Sequence, residues 1–422
     1  METTDDRWAG VDWGSERHAL CVLDEQGKEV DAFTAAHSPE GLAEVVARLQ
    51  RSGVIAGVAV ETTRNLVVQA LLDAGVTVYP INPKLSHAWR EGWKVAAPKS
   101  DPTDAWVLAE GLRQNAARLR PFRTDDARTR ELRMLCADEC TLIGQRTALV
   151  CQLRAALKEY YPQALAWFDD WTAPTAWDFV LTFSTPEALQ QASRKRLFGF
   201  LKSHCLGIRP HWQALADNRL KGPAWPSDQA TTAAKSVLAA TLAKSLRALQ
   251  ASLDEYRRRI EALYGDHPDA SIFNSLPGAG PKTAPRLLCQ FGTDRARFDD
   301  AQAVAQLSGA APVTSRSGRS MTVRMRRQCR KDFRNVLHQW AFLTLSDCIW
   351  ARAFYDRARR AGQGHALALR NLARKWLAIL YRMWQNGERY DEGRYLASLI
   401  RRGSPLVQEI QNLQPLITGG KL

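Results

Sequence analysis

Apolar, strand-like segments in the N-terminal third of the chain end at acidic residues. One segment contains Asp12 near its end, and a second is followed directly by Glu61. A carboxylate at the end of an apolar strand is costly unless a cation joins it, and divalent metals are the usual candidates. Two further acids, Asp101 and Asp104, lie one helical turn apart. These four acids limit the ways in which this part of the chain can fold.

The hydrophobic pattern predicts the order βββαβαβ followed by a helix. We expect helices at residues 39–50 and 65–74, and strands at residues 8–13, 18–24, 29–35, 54–60 and 76–82. This is the order of a ribonuclease H-like layer, in which the first and fourth strands lie side by side, so that Asp12 and Glu61 face each other. Asp101 can cap the next helix, and Asp104 falls on the same helical face.

Carboxylates placed in this way could hold two Mg²⁺ ions, roughly 3.5 to 4 Å apart, against a phosphodiester. Taken alone, Asp101 and Asp104 are more often a plain N-cap pair, and Asp12 or Glu61 could be a single charge at a strand end. The combination of the acids with the strand order favours a metal site.

The composition indicates a polyanionic partner. The chain has 422 residues, which suggests two or three domains, and its formal net charge is +14. Such an excess favours nucleic acid over a membrane. The N-terminal residues are polar and no apolar segment approaches the roughly 18 residues of a membrane span, so we expect a cytoplasmic protein without membrane contact. The eight cysteines lack zinc-site spacing and are interpreted as reduced, mostly buried thiols.

The middle of the chain, residues 121–270, is predicted to be helical. Helices are expected at about residues 125–160 and 232–264, and in the second one apolar residues recur in alternating steps of four and three. This heptad pattern predicts a coiled coil or an antiparallel helical hairpin, and through it a dimer or higher oligomer. An insert at about residues 162–230 is interpreted as a small packed helical unit rather than a base-stacking platform; it carries Trp167, Trp171, Trp177, Trp212 and Trp225.

The last third, residues 271–400, begins with a glycine-containing motif. The segment Leu276 to Ala284 is similar to the hairpin of a helix-hairpin-helix, in which Gly278 and Gly280 let backbone N–H groups approach a phosphate beside Lys282. A plain turn between two helices explains the same residues equally well. We expect helices at residues 298–307, 332–349 and 365–384, with their tryptophans in the core, and a tail without clear periodicity at residues 401–422.

An arginine-rich segment follows a predicted loop at residues 308–320. Its cations face only Asp332; they are Arg316, Arg319, Arg324, Arg326, Arg327, Arg330, Lys331 and Arg334. Such a run is usually a solvated face. Around a serine-rich loop, however, these cations could hold several phosphates and assist attack by a serine alkoxide. No histidine lies near Ser317 in the sequence, so a proton acceptor would have to come from elsewhere in the fold.

The ordered set of motifs resembles the DEDD insertion-sequence transposases of the IS110 group. The likeness extends from about residue 8 to 390 and includes the acids, the helical middle, the arginine-rich strand and three segments: Leu276 to Ala284, Leu307 to Thr314, and Ser315 to Gly318. The resemblance implies an α/β RuvC-like domain at residues 1–120, a helical coiled-coil middle and a mostly helical transposase domain at residues 271–400. The insert departs from the shorter members of the family.

The same resemblance implies roles for individual residues. Asp12, Glu61, Asp101 and Asp104 would bind Mg²⁺, and Ser317 would attack a DNA phosphate, with Ser315 as its nearest rival. A bridge RNA would pair with donor and target DNA, while contacts to nucleic-acid backbone would come from Gly278, Gly280, Lys282, Arg316, Arg319, Arg324, Arg326, Arg327 and Arg330. The hypothesis is a nucleoid-associated dimer or tetramer that cuts and rejoins DNA through a 5′-phosphoserine linkage.

Three alternatives differ in the chemistry of these residues. A two-metal RuvC-like nuclease, such as a Holliday junction resolvase, would use the acids without a covalent serine intermediate. The segment Asp12 to Ser15 also resembles the phosphate loop of actin-like sugar kinases, but the second Asp-x-Gly loop and the glycine-rich adenosine site of that class are missing from the sequence. In a non-enzymatic nucleic-acid binder, the acids would be incidental charges.

Overall fold

The chain forms two compact units, residues 1–124 and residues 125–422. The computed structural model describes residues 6–63, 65–93, 100–204, 210–218 and 228–418. No helix within those ranges is long and apolar enough to span a membrane. The predicted middle and C-terminal domains belong to one compact unit, and the boundaries proposed for them at residues 270 and 400 stay predictions.

A five-stranded sheet forms the centre of the first unit. Its strands are β1 (Arg7–Trp13), β2 (Arg17–Leu23), β3 (Glu29–Ala36), β4 (Ile55–Val60) and β5 (Val78–Pro80). The sheet order is β3-β2-β1-β4-β5, and β1 is antiparallel to β2 and parallel to β4. The predicted contact between the first and fourth strands is therefore confirmed. β5 is shorter than predicted and ends at Pro80, which has no N–H to extend the ladder.

Helices cover both faces of this sheet. They are α1 (Pro39–Arg51), α2 (Leu66–Asp73), α3 (Pro83–Gly92) and α4 (Asp101–Asn115). One face packs an apolar core that includes Val45 of α1 and Leu71 of α2. On the other face, a Cβ atom at Gly10 would lie only 2.1 Å from the carbonyl oxygen of Ala105. Because glycine has no side chain, α4 can lie directly against β1.

Two long antiparallel helices form the scaffold of the second unit, α5 (Ala127–Tyr160) and α10 (Gln229–Gly265). Their direction follows from ion pairs at both ends, because Arg259 Nη2 lies 3.3 Å from Glu131 Oε1 and Lys235 Nζ lies 2.7 Å from Glu159 Oε2. The structure thus has the antiparallel hairpin that was one of the two predicted arrangements. Since each long helix has its partner in the same chain, the predicted oligomer needs other support and stays a prediction.

Buried carboxylates fasten these helices to the rest of the second unit. Asp125 Oδ2 lies 2.5 Å from Arg133 Nη2 and 3.1 Å from Arg297 Nη1. Burial acts to raise the pKa of Asp125, but the two guanidinium groups lower this pKa below its usual value. Glu139 accepts in the same way from Arg257 and Arg286, at 3.3 and 2.7 Å. Each carboxylate is therefore shared by two arginines.

The insert between the long helices is a packed helical unit, as predicted. Its helices are α6 (Pro174–Thr182), α7 (Pro186–Gln191), α8 (Arg194–Ser203) and α9 (Pro210–Asn218). Trp167, Trp171, Trp177 and Trp212 are buried in its core together with residues from the distal ends of α5 and α10. Trp225 lies outside the described residues. Buried indole rings cannot stack on nucleic-acid bases, so the four described tryptophans are structural.

The remaining part of the second unit is a helical layer with one β-hairpin. Its helices are α11 (Ala270–Asn274), α12 (Thr283–Phe291), α13 (Ala301–Leu307), α14 (Lys331–Asp347), α15 (Ile349–Arg360), α16 (His365–Asn386), α17 (Glu392–Arg401) and α18 (Leu406–Thr418). The hairpin consists of β6 (Val313–Ser317) and β7 (Ser320–Arg324). The tryptophans predicted for the core are fully buried, at Trp340, Trp350, Trp376 and Trp384.

Three expectations for this layer are corrected by the structure. The predicted loop at residues 308–320 is partly β-strand, because Gly318 with its φ of 55° allows a two-residue turn between β6 and β7. The helix predicted at residues 332–349 is interrupted at Cys348, whose backbone is extended. The tail forms α18, and burial of Leu406 and Ile410 supplies the apolar contact that stabilises it.

The described cysteines form no disulfide. Cys21, Cys136, Cys289 and Cys348 are buried, whereas Cys140 and Cys151 are exposed. Cys205 lies outside the described residues. The prediction of reduced and mostly buried thiols therefore fits the seven cysteines that the structure describes.

Candidate active-site residues

Asp12 and Glu61 lie at the same end of two neighbouring parallel strands. The last paired residues of β1 and β4 are Val11 and Val60, so the two acids occupy the next position on each strand. Adjacent strands are about 4.8 Å apart, which brings the two backbone positions close together. Both residues are half-buried. The sequence prediction that these two acids meet is supported by the strand register.

The first turn of α4 lies at the same end of the sheet. Leu112 of α4 packs at the level of Gly57 of β4, because a Cβ atom added to Gly57 would lie 3.3 Å from Leu112 Cδ2. Leu108, one turn earlier on α4, packs in the same cluster as Ala59. Two residues of β4 span about 6.6 Å and four residues of α4 span about 6 Å, so a two-residue step along the strand matches a four-residue step along the helix. One further step reaches Glu61 on the strand and Asp104 on the helix.

Asp101 lies at the same N-terminal end of α4 but is not the N-cap residue that the sequence predicted. The helix begins at Asp101, and its N-cap is Ser100, whose carbonyl oxygen accepts from Asp104 N at 2.9 Å. Asp101 therefore does not cap the helix, because its own backbone is already helical. It is exposed, and Ala105 one turn later packs against the sheet. The carboxylate of Asp101 is thus placed at the solvent-facing rim of the acidic end.

Two residues of α3 contact the acids and were missed by the sequence reasoning. Ser86 Oγ donates a hydrogen bond to Glu61 Oε1, and Arg90 forms an ion pair with Asp104. Ser86 is buried, and its Oγ also lies 3.0 Å from the carbonyl oxygen of Pro83. Ser86 and Arg90 are one helical turn apart, in the helix that follows β5. That spacing on the helix leading into α4 is the sequence signal that could have identified them.

The donor set is suitable for a hard divalent cation. Four carboxylates, at Asp12, Glu61, Asp101 and Asp104, occupy one end of the sheet, and carboxylate oxygen is the ligand that Mg²⁺ prefers. The side chains themselves do not converge, since no group of three or more His, Cys, Asp or Glu among the described residues is placed to hold one ion. Arg90 instead supplies the positive charge that faces Asp104. The backbone placement fits a metal site, and in the structure Arg90 is paired with one of its four candidate ligands.

The candidate serines lie on the exposed β-hairpin of the second unit. Ser317 is paired with Ser320 and Ser315 with Thr322, and directly opposed residues of antiparallel strands share a face. One face of the hairpin therefore carries four hydroxyl groups. Every residue of β6 and β7 is exposed. Both candidate nucleophiles point to the same side, and Ser317 is the one next to the turn.

Arginines surround this hairpin with little compensating negative charge. In the part of the chain that the structure describes, Arg330 pairs with Asp332 at 2.9 Å, while no carboxylate pairs with Arg316, Arg319, Arg324 or Arg327. Arg326 donates through Nε to the carbonyl oxygen of Ala311 at 3.4 Å. The charge is thus uncompensated where the hydroxyl groups are most exposed, and such a surface attracts a polyanion.

The glycine motif connects α11 to α12. Gly278 has a φ of 67°, and a Cβ there would be 3.0 to 3.1 Å from backbone and side-chain atoms of Leu343 and Thr344 on α14. Packing against α14 is thus a sufficient reason for this glycine. Gly280 has open space around its Cα, and Lys282 is exposed. Binding of phosphate by Gly278, Gly280 and Lys282 stays a prediction.

Comparisons with known proteins agree in both units. A sequence model for DEDD transposases of the IS110 type matches residues 9–162, and one for the "Transposase IS116/IS110/IS902 family" matches residues 270–356. The first match contains all four acids, and the second contains the hairpin with Ser317.

Individual relatives cover nearly the whole chain. The "Mini-circle putative transposase for IS117" of Streptomyces coelicolor is 30% identical over 411 residues, which is 93% of this chain and 97% of that protein. The "Insertion element IS900 uncharacterized 42 kDa protein" of Mycobacterium paratuberculosis is 28% identical over 89% of this chain and 95% of its own length. With both units matched in this order, the chain belongs to the IS116/IS110/IS902 family of transposases.

Proposed function

We propose that this insertion-sequence transposase cuts and rejoins DNA through a covalent bond to Ser317. The observation that carries the proposal is the position of Ser317 on an exposed hairpin, beside the turn and among arginines that have no carboxylate partner in the described ranges. A nucleophile that must reach a phosphate in a DNA backbone needs such access, and the attack builds negative charge that nearby guanidinium groups stabilise.

The bond changes balance without an external energy source. The Ser317 Oγ attacks phosphorus, the bond from phosphorus to the 3′ oxygen breaks, and a 5′-phosphoserine and a 3′ hydroxyl result. The proton leaves Oγ for a base and the 3′ oxygen gains one. In the second step the 3′ hydroxyl of the exchanged strand attacks the phosphoserine and releases Ser317. The number of phosphodiester-type bonds is constant, so ATP is not required.

The base must come from outside the hairpin, because residues 313–324 contain no His, Asp or Glu. We propose that the acidic end of the RuvC-like N-terminal unit supplies it and positions the scissile phosphate. Asp12, Glu61, Asp101 and Asp104 would hold Mg²⁺ there, which when bound supplies Lewis-acid polarisation of phosphate oxygens. Arg90 and Ser86 hold Asp104 and Glu61 in place.

Nucleic-acid recognition completes the proposal. The hairpin arginines and the motif at Gly278, Gly280 and Lys282 would bind backbone phosphates of donor and target DNA. The net charge of +14 supports a large polyanionic ligand. We propose that a bridge RNA provides sequence recognition by base pairing, and that a dimer or tetramer acts on the nucleoid in the bacterial cytoplasm. The family resemblance supports these two points.

Adduct formation is the direct test of the serine. Purified protein is incubated with RNA from the flanks of the element, Mg²⁺ and labelled donor and target DNA, and label is sought on denatured protein. We expect an adduct in the wild type and none in Ser317→Ala. Ser315→Ala is the matched control, because it removes the same group from the same face two residues away, and it should retain the adduct.

Other results would change the assignment in defined ways. An adduct that survives Ser317→Ala and disappears in Ser315→Ala would make Ser315 the nucleophile. Metal-dependent cutting by the wild type without any adduct would instead indicate a two-metal nuclease or junction resolvase. In that case Asp12→Ala should abolish cutting, while Ser317→Ala leaves the products unchanged.

A further inference from the structure

Three basic side chains lie on two packed helices of the second unit, C-terminal to the hairpin. Arg334 and His338 are one turn apart on α14, and Arg370 belongs to α16. Trp340 and Trp376 hold the two helices together, with ring centroids 5.0 Å apart. We propose that Arg334, His338 and Arg370 form a binding site for a phosphate of the nucleic-acid backbone, separate from the hairpin arginines and resting on the proposed function.

Buried polar atoms without a hydrogen-bond partner are the first observation behind this site. His338 Nε2 and Arg370 Nε are enclosed by protein, and neither has a hydrogen-bond partner in the part of the chain that the structure describes. A buried polar atom left unpaired costs about 1 to 3 kcal/mol. An arginine Nε always carries a hydrogen and is never an acceptor. Arg370 therefore needs an acceptor that the described residues do not provide.

Uncompensated charge is the second observation. Arg334 Nη1 lies 4.0 Å from Cys329 Sγ, and a thiol sulfur is only a weak acceptor. No described carboxylate pairs with Arg334, His338 or Arg370. Burial lowers the pKa of His338, and the positive charges of Arg370 and Arg334 lower it further. This differs from the Glu139 cluster, where two arginines share one buried carboxylate.

A phosphate group has the properties that these residues require. It carries negative charge, and its several oxygens can accept from two guanidinium groups and an imidazole at once. The site also lies close in sequence to the hairpin arginines, because α14 begins shortly after β7 and Arg334 lies in its first turn. Nucleic-acid backbone is therefore a better occupant than a free small anion.

Protonation of His338 is linked to occupancy of the site. The groups that face His338 are Arg334 from the same helix and Arg370 from α16, and both oppose a charged imidazole. A bound phosphate reverses this field, so it should raise the pKa of His338. Binding then takes up a proton, so affinity for a phosphodiester, whose own charge is constant at these pH values, should increase as the pH falls towards and below the ordinary histidine pKa of about 6.5.

The test follows the His338 imidazole by NMR in the full-length protein, with inorganic phosphate and then with a short DNA duplex. His338→Gln identifies the signal. We expect each probe to raise the pKa of His338, and Arg370→Ala to abolish this rise and weaken phosphate binding roughly tenfold, or about 1.4 kcal/mol. Arg374→Ala is the matched control, since Arg374 is exposed on the same helix and donates to Gln302 at 3.2 Å.

A pKa of His338 that stays constant with both probes overturns the proposal. A response to inorganic phosphate but not to the duplex overturns the assignment to nucleic acid. Equal effects of Arg370→Ala and Arg374→Ala would show that any positive charge on this helix has the same effect, which overturns a specific site. The titration is repeated in Ser317→Ala. Because it requires no covalent step, its failure leaves the serine mechanism intact, and a missing adduct leaves the phosphate site intact.

Discussion

Arginines of the second unit fall into two groups that differ in what faces them. Arg133, Arg286 and Arg297 are largely buried, and each is paired with a buried carboxylate. The arginines at the exposed hairpin, such as Arg319 and Arg324, have no carboxylate partner among the described residues. The first group holds helices together, whereas the second group leaves its charge available to a ligand. Partner and exposure, rather than arginine content, therefore distinguish the arginines that stabilise the fold from those whose charge a ligand could reach.

The largest effect is expected at a buried carboxylate. Asp125→Asn leaves Arg133 and Arg297 buried without their counter-ion, so we expect the free energy of unfolding to fall by about 3 kcal/mol. The measurement is the midpoint of urea unfolding at neutral pH. Glu131→Gln is the control, because its pair with Arg259 is exposed and should be worth less than about 1 kcal/mol. Equal losses in the two variants would show that burial does not set the value of these pairs.

An intermediate effect is expected at the hairpin, on binding rather than on stability. Replacing both Arg319 and Arg324 by alanine should weaken DNA binding. The plot of the logarithm of the association constant against the logarithm of the salt concentration should become less steep, by about 0.9 for each phosphate that is no longer neutralised. The melting temperature should not change, because neither side chain has a carboxylate partner within the described part of the chain. Arg259→Ala, on the long helix α10, should leave the slope unchanged. An unaltered slope in the double variant would remove the hairpin from the nucleic-acid interface.

The smallest effect concerns acid stability. Asp126 caps α5 and accepts from Thr129 N at 3.0 Å and from Thr293 Oγ1 at 3.0 Å. Burial acts to raise its pKa, but the hydrogen bonds from Thr129 and Thr293 outweigh burial and lower it to about 2. Since a free aspartate titrates near about 3.9, this stabilisation is complete above that pH and is lost as the pH falls through about 2.

Melting curves of Asp126→Asn test this assignment. The variant should melt below the wild type at pH 6, and the difference should shrink between about pH 4 and 2 as the wild-type carboxylate becomes protonated. A difference that stays constant over this range would mean that the charge of Asp126 does not contribute and that only its shape or neutral hydrogen bonding matters.

The sequence was most informative where a local pattern decides the structure. The register of apolar residues placed Asp12 and Glu61 on neighbouring strands, and the apolar patterns at residues 125–160 and 232–264, the second of them a heptad, identified two long helices. Ser86 and Arg90 were missed because their contacts join residues distant along the chain, and their one-turn spacing on α3 is the only local signal that the sequence offers for them. The first strand of the hairpin, β6, was taken for a loop because all its residues are exposed, which removes the alternation of apolar and polar residues that marks a half-buried strand.

The length of the antiparallel helix pair has a consequence for how this chain can vary. α5 has 34 residues and is therefore about 50 Å long. Residues near its start, such as Leu132, pack in the core of the C-terminal layer, while Leu153 and Leu157 near its end pack in the core of the insert. The two cores share the helices but no side chains. Evolution can therefore lengthen, shorten or exchange the insert without repacking the distant core, and an engineered module grafted at the same place should be tolerated for the same reason.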